Sequence, residues 1–171
     1  MLHIKSYFPQ LLTIILAFFI YSSHAQINGN GKLITKVFDI DDVYKIEANL
    51  YGDITLDMAE EAGITIIAEE NIMDFIGINV ESGTLNFDQK KWIEPSLRIK
   101  IIVGAPNLRE VVMDTHDDLK VINITGDMFK VDAEIGKVIL SGEVDDLRIK
   151  AKNGTIEASM LKARLASVRI K

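Results

Sequence analysis

Apolar and polar residues alternate through the second half of the chain, and the alternation repeats. Residues 129–140 read FKVDAEIGKVIL and residues 147–158 read LRIKAKNGTIEA, so a shift of 18 superimposes their apolar positions. A looser copy, REVVMDTHDDLKV, spans residues 109–121 with one extra residue in its turn, and a fourth begins near Val168 and stops. Period-two alternation predicts two short strands per unit joined by a tight turn. Self-similarity at a short period predicts a solenoid, in which each unit buries its apolar face only against its neighbours. An antiparallel meander uses the same alternation but does not require a fixed shift. The expectation is an all-β fold: a solenoid-like C-terminal coil over about residues 108–171, preceded by short β-strands packed on it.

Stacking the units gives definite columns. Val111, Val131, Ile149 and Val168 form one inward column, and Met113, Ala133, Ala151 and Ile170 the next. Beyond the turn come Leu119, Val138 and Ile156, then Val121, Leu140 and Ala158. Gly136 and Gly154 occupy the same turn position, where a positive φ is expected. Outward, Asp132 falls beside Lys150 and Glu134 beside Lys152, opposite charges that mark register more than they stabilise. The fourth unit has a first strand but no return, which predicts an incomplete coil with an open edge inviting another chain.

The first half carries β-patterned runs near residues 34–40, 44–50, 54–58, 64–68, 76–80, 84–87 and 97–103, broken by polar or glycine-containing connectors. The run 64–68 is nearly continuous in apolar residues and predicts a central strand, and Ser82-Gly83 predicts a hairpin turn. No amphipathic helix of three turns is evident. Before all of this, Lys5, the apolar core LLTIILAFFIY at residues 11–21 and Ser23-His24-Ala25 form the pattern of a secretory signal peptide over residues 1–25. The apolar run is shorter than the ~20 residues needed to span a bilayer, and no later segment is apolar enough, so no stable membrane span is expected after cleavage. Residues 26–171 then form one β domain.

Charge and composition narrow the classes further. The chain contains no cysteine, which excludes disulfides and a lipid anchor on cysteine. With 19 basic against 25 acidic residues, and Lys5 in the leader, the exported chain is acidic without a basic run. Nucleic acid is therefore not an expected partner. Paired carboxylates such as Asp41-Asp42 and Glu60-Glu61 are neighbours on extended chain, so they face opposite ways and make no dyad by themselves. No nucleophile elbow, phosphate loop or dinucleotide fingerprint is present; no catalytic residue, metal or cofactor is predicted.

Four residues remain as candidate binding contacts. His116, the one histidine outside the leader, lies with Asp117 and Asp118 at a predicted corner; a zinc site needs more His or Cys ligands than the chain offers, and a solvated turn explains the same residues. Trp92 sits among Lys90, Lys91 and Glu94 between strands. It can stack on a sugar or a partner's side chain, or fold back over the core. Tyr44 and Tyr51 have strand patterns around them and are expected in the core or at an edge.

Several short segments, in order, are similar to a known family. Asn30-Gly31-Lys32, the segment YGDITL at residues 51–56, AEENI at 68–72 ahead of Gly83-Thr84-Leu85, and APNL at 105–108 opening the glycine-cornered repeats together resemble the head GIN domain. The likeness covers roughly residues 28–171. It implies exported bacterial adhesin-like proteins, an all-β fold with a right-handed β-helix-like portion, and a cell-envelope or surface location, periplasmic or outside. It implies no catalytic mechanism. The corners here hold one glycine or none where relatives often have Gly-Ser-Gly.

Three functions follow as expectations. The first is a non-enzymatic exported module binding a glycan or an envelope or surface protein, since coils present long repetitive faces. The second is a carbohydrate-active enzyme on a β-helix scaffold, supported by fold analogy alone. The third is a structural envelope component that self-associates through its C-terminal edge.

Overall fold

The computed structural model describes residues 26–170; the predicted leader, residues 1–25, lies outside the described residues. Twelve strands account for most of them: β1 (Ile27–Asn28), β2 (Leu33–Phe38), β3 (Lys45–Ala48), β4 (Asp53–Asp57), β5 (Gly63–Glu69), β6 (Ile76–Glu81), β7 (Thr84–Gln89), β8 (Ile93–Glu94), β9 (Lys100–Gly104), β10 (Glu110–Ile124), β11 (Met128–Ala151) and β12 (Thr155–Ile170). A single 3₁₀ turn, Met73–Phe75, interrupts them, and no α-helix occurs among the described residues. The protein is all-β, with a curled, open sheet.

The three long strands pair in parallel, β10 on β11 and β11 on β12. A meander would pair them antiparallel. Val111 lies opposite Val131, Leu119 opposite Val138, Val138 opposite Ile156, and Ile149 opposite Val168. These four of the expected neighbour pairs are formed. Their spacing is not constant: these four pairs are separated by 20, 19, 18 and 19 positions, and bulges absorb the difference. The predicted corners differ from one another: that at Gly136 lies within β11, whereas that at Asn153-Gly154 separates β11 from β12. β11 runs unbroken for 24 residues, and the corner that follows it stacks on the residues just before Gly136. Lys152 N–H donates to Ala133 at 3.0 Å and Asn153 to Glu134 at 2.9 Å.

The two corner glycines are needed for different reasons. Gly136 has φ of +81° and a Cβ there would run into the Thr115 carbonyl. Gly154 has no such φ; a Cβ there would meet Ala133 Cβ at 2.8 Å and its carbonyl oxygen at 2.9 Å. Positive φ is thus confined to the first, and close approach of two turns explains the second. Outside, Lys150 pairs with Asp132 and also approaches Glu134 at 3.6 Å, while Lys152 lies 3.5 Å from Glu134.

The curled sheet begins well before residue 108. β3 and β4 both pair in parallel with β10, Lys45 opposite Glu110 and Ile54 opposite Leu119. Both halves keep the same offset of 65, so residues 45–57 are a further turn of the same sheet, separated from the rest by a long insertion. β7 and β9 form one more turn, on β3 and β4 respectively. The inward columns become Leu85–Ile46–Val111–Val131 and Phe87–Ala48–Met113–Ala133, then Ile101–Ile54–Leu119–Val138 and Val103–Leu56–Val121–Leu140. All sixteen residues are buried.

The two ends of this stack differ. At the first, β6 pairs antiparallel with β7 through the Ser82-Gly83 turn, where φ is +48° and +72°. β5 pairs antiparallel with β9, and β2 with β5. Residues 64–68 are thus flanked on both sides, as their apolar run predicts. At the other end β12 pairs with β11 alone among the described residues, and Met160, Leu165, Val168 and Ile170 are all more than half exposed. Val168 and Ile170 stand in their predicted columns yet face solvent on the free side.

Candidate functional site

Register fixes which corner residues meet. The segments 49–52, 88–99 and 114–117 each join the same two faces of the sheet, since residues 48, 87 and 113 are aligned before them and 53, 100 and 118 after. Tyr51, Trp92 and His116 therefore lie on the same corner in three successive turns. Trp92 is 63% exposed, Tyr51 is half exposed, and His116 is exposed. Three exposed or half-exposed ring-bearing residues thus belong to the same corner of successive turns. Sequence patterning expects Tyr44 and Tyr51 in the core or at an edge; both are about half exposed, and Tyr51 lies in a corner, through which alternation does not extend.

The corner in the β7–β9 turn is eight residues longer than the one beneath it, as Lys45 faces Thr84 but Asp53 faces Lys100. That extra length projects the loop carrying Trp92. Ile93 packs back into the core at 6% exposure, so the covering role expected of the aromatic falls to its neighbour. The loop is held from several directions. Ile27 N–H donates to the Trp92 carbonyl at 3.0 Å, and Gly29 N–H to that of Glu94 at 2.9 Å, where β1 pairs with β8. Lys90 N–H donates to Phe75 carbonyl at 3.0 Å, and Lys91 Nζ lies 5.2 Å from the centre of the Phe75 ring.

Glu69 completes the support. Its side chain is fully buried and accepts four hydrogen bonds: Gly31 N–H and Ser96 Oγ–H at 2.5 Å each, Ser96 N–H at 2.8 Å and Leu97 N–H at 3.2 Å. Burial alone would push its carboxyl up. The Ser96 hydroxyl and the three backbone donors outweigh burial and hold it below the ordinary carboxylate range. One buried anion thereby ties the entry segment at residues 29–31 to the end of the Trp92 loop. No sequence signal distinguished this glutamate from the adjacent Glu70.

Asp117 is also engaged within the fold. It accepts Gly52 N–H at 2.7 Å and lies 3.2 Å from the Arg98 guanidinium. Arg98 in turn bonds Asp53 Oδ1 through Nε at 3.0 Å. The Asp53 bond, with the charges of Asp53, Asp117 and Asp118, holds that guanidinium above its ordinary value. The three predicted corner residues therefore divide: Asp117 staples two turns together, while His116 and Asp118 are both exposed, Asp118 adding field at Arg98. Among the described residues no group of three or more His, Cys, Asp or Glu side chains is arranged to hold a metal.

The comparisons with known proteins agree with this architecture. A family described as "Putative auto-transporter adhesin, head GIN domain" matches residues 43–156. Among solved structures, a putative adhesin from Bacteroides fragilis has a TM-score of 0.67 at 24% identity, covering 84% of this chain and 79% of its own. A putative adhesin from Parabacteroides merdae has a TM-score of 0.59 at 17% identity, covering 85% and 80%. A protein named as putative lipid binding, from Parabacteroides distasonis, has a TM-score of 0.53 at 18% identity, covering 85% and 81%. At these identities the likeness concerns the fold. A search of curated proteins returns no match.

Proposed function

The chain belongs to the head GIN domain family, and from that premise we propose that it is an exported, non-enzymatic binding module of the cell envelope or surface, with the Tyr51–Trp92–His116 ridge as its contact for an extended glycan or an envelope protein. The observation that carries this reading is the exposure of Trp92 on a loop whose backbone is fixed at both ends. An aromatic face costs little entropy to present when its loop is already ordered, and stacking on a pyranose ring or a partner's side chain uses that face directly. Lys90 and Lys91 favour an acidic ligand at this loop. The parallel pairing and the columns support a right-handed coil of β-helix type, with the ridge running along its length. Residues 1–25 act as the export leader in this reading.

Glycan-array binding by residues 26–171 tests it, with Trp92→Ala and His116→Ala as the discriminating variants. The expected result is binding to one ligand class, weakened at least tenfold by Trp92→Ala without loss of thermal stability. Turnover of a bound sugar, abolished by changing one Asp or Glu, would replace this reading with the enzymatic one.

A second reading rests on the exposed edge of β12, where apolar side chains and backbone groups unpaired among the described residues favour association with another copy. Sedimentation at several concentrations separates the two, since edge pairing predicts concentration-dependent growth that Leu165→Lys suppresses.

A further inference from the structure

Asparagine followed by glycine is the most self-reactive pair in this chain, and the fold treats its three copies differently. They are Asn28-Gly29, Asn30-Gly31 and Asn153-Gly154; every other asparagine precedes Leu, Ile, Val or Phe. A backbone nitrogen can attack the side-chain carbon of the asparagine before it, and glycine leaves that approach unobstructed. A nitrogen whose N–H is held by an acceptor is withdrawn from such attack.

The two pairs in the entry segment are held. Gly29 N–H donates to the Glu94 carbonyl at 2.9 Å, and Gly31 N–H to Glu69 Oε1 at 2.5 Å. Their asparagines are engaged as well: the Asn28 carbonyl accepts from Asn71 Nδ2 at 2.7 Å, and Asn30 Oδ1 accepts Lys32 N–H at 3.0 Å. The third pair is not held. Asn153 is exposed, and neither its side chain nor the Gly154 N–H has a hydrogen-bond partner among the described residues. The leading side of this corner is pinned by Lys152 N–H on the Ala133 carbonyl and Asn153 N–H on that of Glu134. Strand pairing then resumes at Thr155, opposite Lys137.

We propose that Asn153 is a self-modification site, converting to aspartate and isoaspartate through a cyclic imide and so loosening β12. The Gly154 nitrogen gives up its proton and bonds to the Asn153 side-chain carbon. The bond from that carbon to its own amide nitrogen breaks, and ammonia leaves with the proton. Water then opens the imide at either carbonyl. Opening at the main-chain carbonyl routes the chain through the former side chain and inserts one methylene between residues 153 and 154. That added length falls between the bond to Glu134 and the first β12 pair, at a glycine already packed against Ala133. Strands pair only at matched backbone spacing, and β12 pairs with β11 alone among the described residues. The proposal does not depend on the binding role given to Trp92.

The test incubates residues 26–171 at physiological temperature and mildly alkaline pH, folded and unfolded in urea, and follows amide-to-acid conversion by peptide mapping. Trypsin cuts after Lys32, Lys152 and Lys162, so the entry pairs and Asn153 fall on separate peptides. Labelling by an isoaspartyl methyltransferase marks the isomer. In the folded protein Asn153 should react at least tenfold faster than Asn28 or Asn30, whereas in urea all three should react at similar rates. Aged folded protein should exchange its β12 amide hydrogens at least tenfold faster than fresh protein, and Asn153→Gln should show no such change with age. An Asn153 no faster than the entry pairs, a preference that persists unchanged in urea, or isoaspartate at 153 with β12 exchange unaltered would each overturn the proposal.

Discussion

Replacing Glu69 by glutamine removes one buried charge and almost no volume, so its effect isolates the hydrogen bonds that hold the Trp92 loop. In the native protein each carboxylate oxygen faces two donors, Gly31 N–H and Ser96 Oγ–H on one side, Ser96 and Leu97 N–H on the other. An amide can satisfy only one of these pairs. The best arrangement turns its NH₂ towards Ser96 Oγ, which can rotate to accept, and leaves Gly31 N–H facing a donor. Orphaning one buried donor and losing charge-assisted bonds costs about 2–4 kcal/mol. For a chain of this size that lowers Tm by roughly 4–16 °C.

The pH dependence carries the sharper test. In the unfolded chain a glutamate titrates near ~4.3, and in the folded protein Glu69 is held lower. Its contribution to stability is therefore fully present above the unfolded value and is lost as pH falls through the folded one. The Glu69→Gln variant lacks that titration. Subtracting the two denaturation curves at each pH from 3 to 8 removes the effects of other carboxyl groups. The gap should be largest at neutral pH and shrink on acidification below about pH 4. A gap of the same size at every pH, or none at pH 7, would refute the assignment of Glu69 as a buried, hydrogen-bonded anion.

The two corner glycines should respond unequally to alanine. Gly136→Ala combines a positive φ with a backbone clash and should cost more than about 3 kcal/mol, whereas Gly154→Ala, which meets Ala133 in ordinary φ space, should cost about 1–3 kcal/mol by urea denaturation. At the neighbouring corner, Asp117→Ala should destabilise by about 1–3 kcal/mol because it strips the Gly52 N–H of its acceptor and Arg98 of one of its two carboxylate partners, while His116→Ala should leave Tm within a degree or two. Equal effects at these two positions would show that Asp117 is not a staple.

The alternation was legible because burial imposes a local rule: each inward position must be apolar and each outward one polar, whatever the partner. That rule gave Val111, Val131, Ile149 and Val168 one column, and placed Lys150 beside Asp132. It also gave the β-patterned runs of the first half and the turn at Ser82-Gly83, where glycine tolerates the required backbone. The turn at residues 45–57 escaped notice. Its residues Ile46, Ala48, Ile54 and Leu56 obey the same rule, but a long insertion separates them from residue 110, and periodicity cannot be followed across it.

What the sequence determined by itself was the strand content, the inward and outward sides of each strand, and the residues able to occupy a corner, because these depend on alternation and on local backbone freedom. Only the tertiary structure decided that Tyr51, Trp92 and His116 belong to the same corner of successive turns, that Glu69 rather than Glu70 is the buried anion, and that Asp117 is spent on stapling two turns. Those outcomes depend on which strands lie side by side, and pairing is set by long-range register that no local pattern encodes.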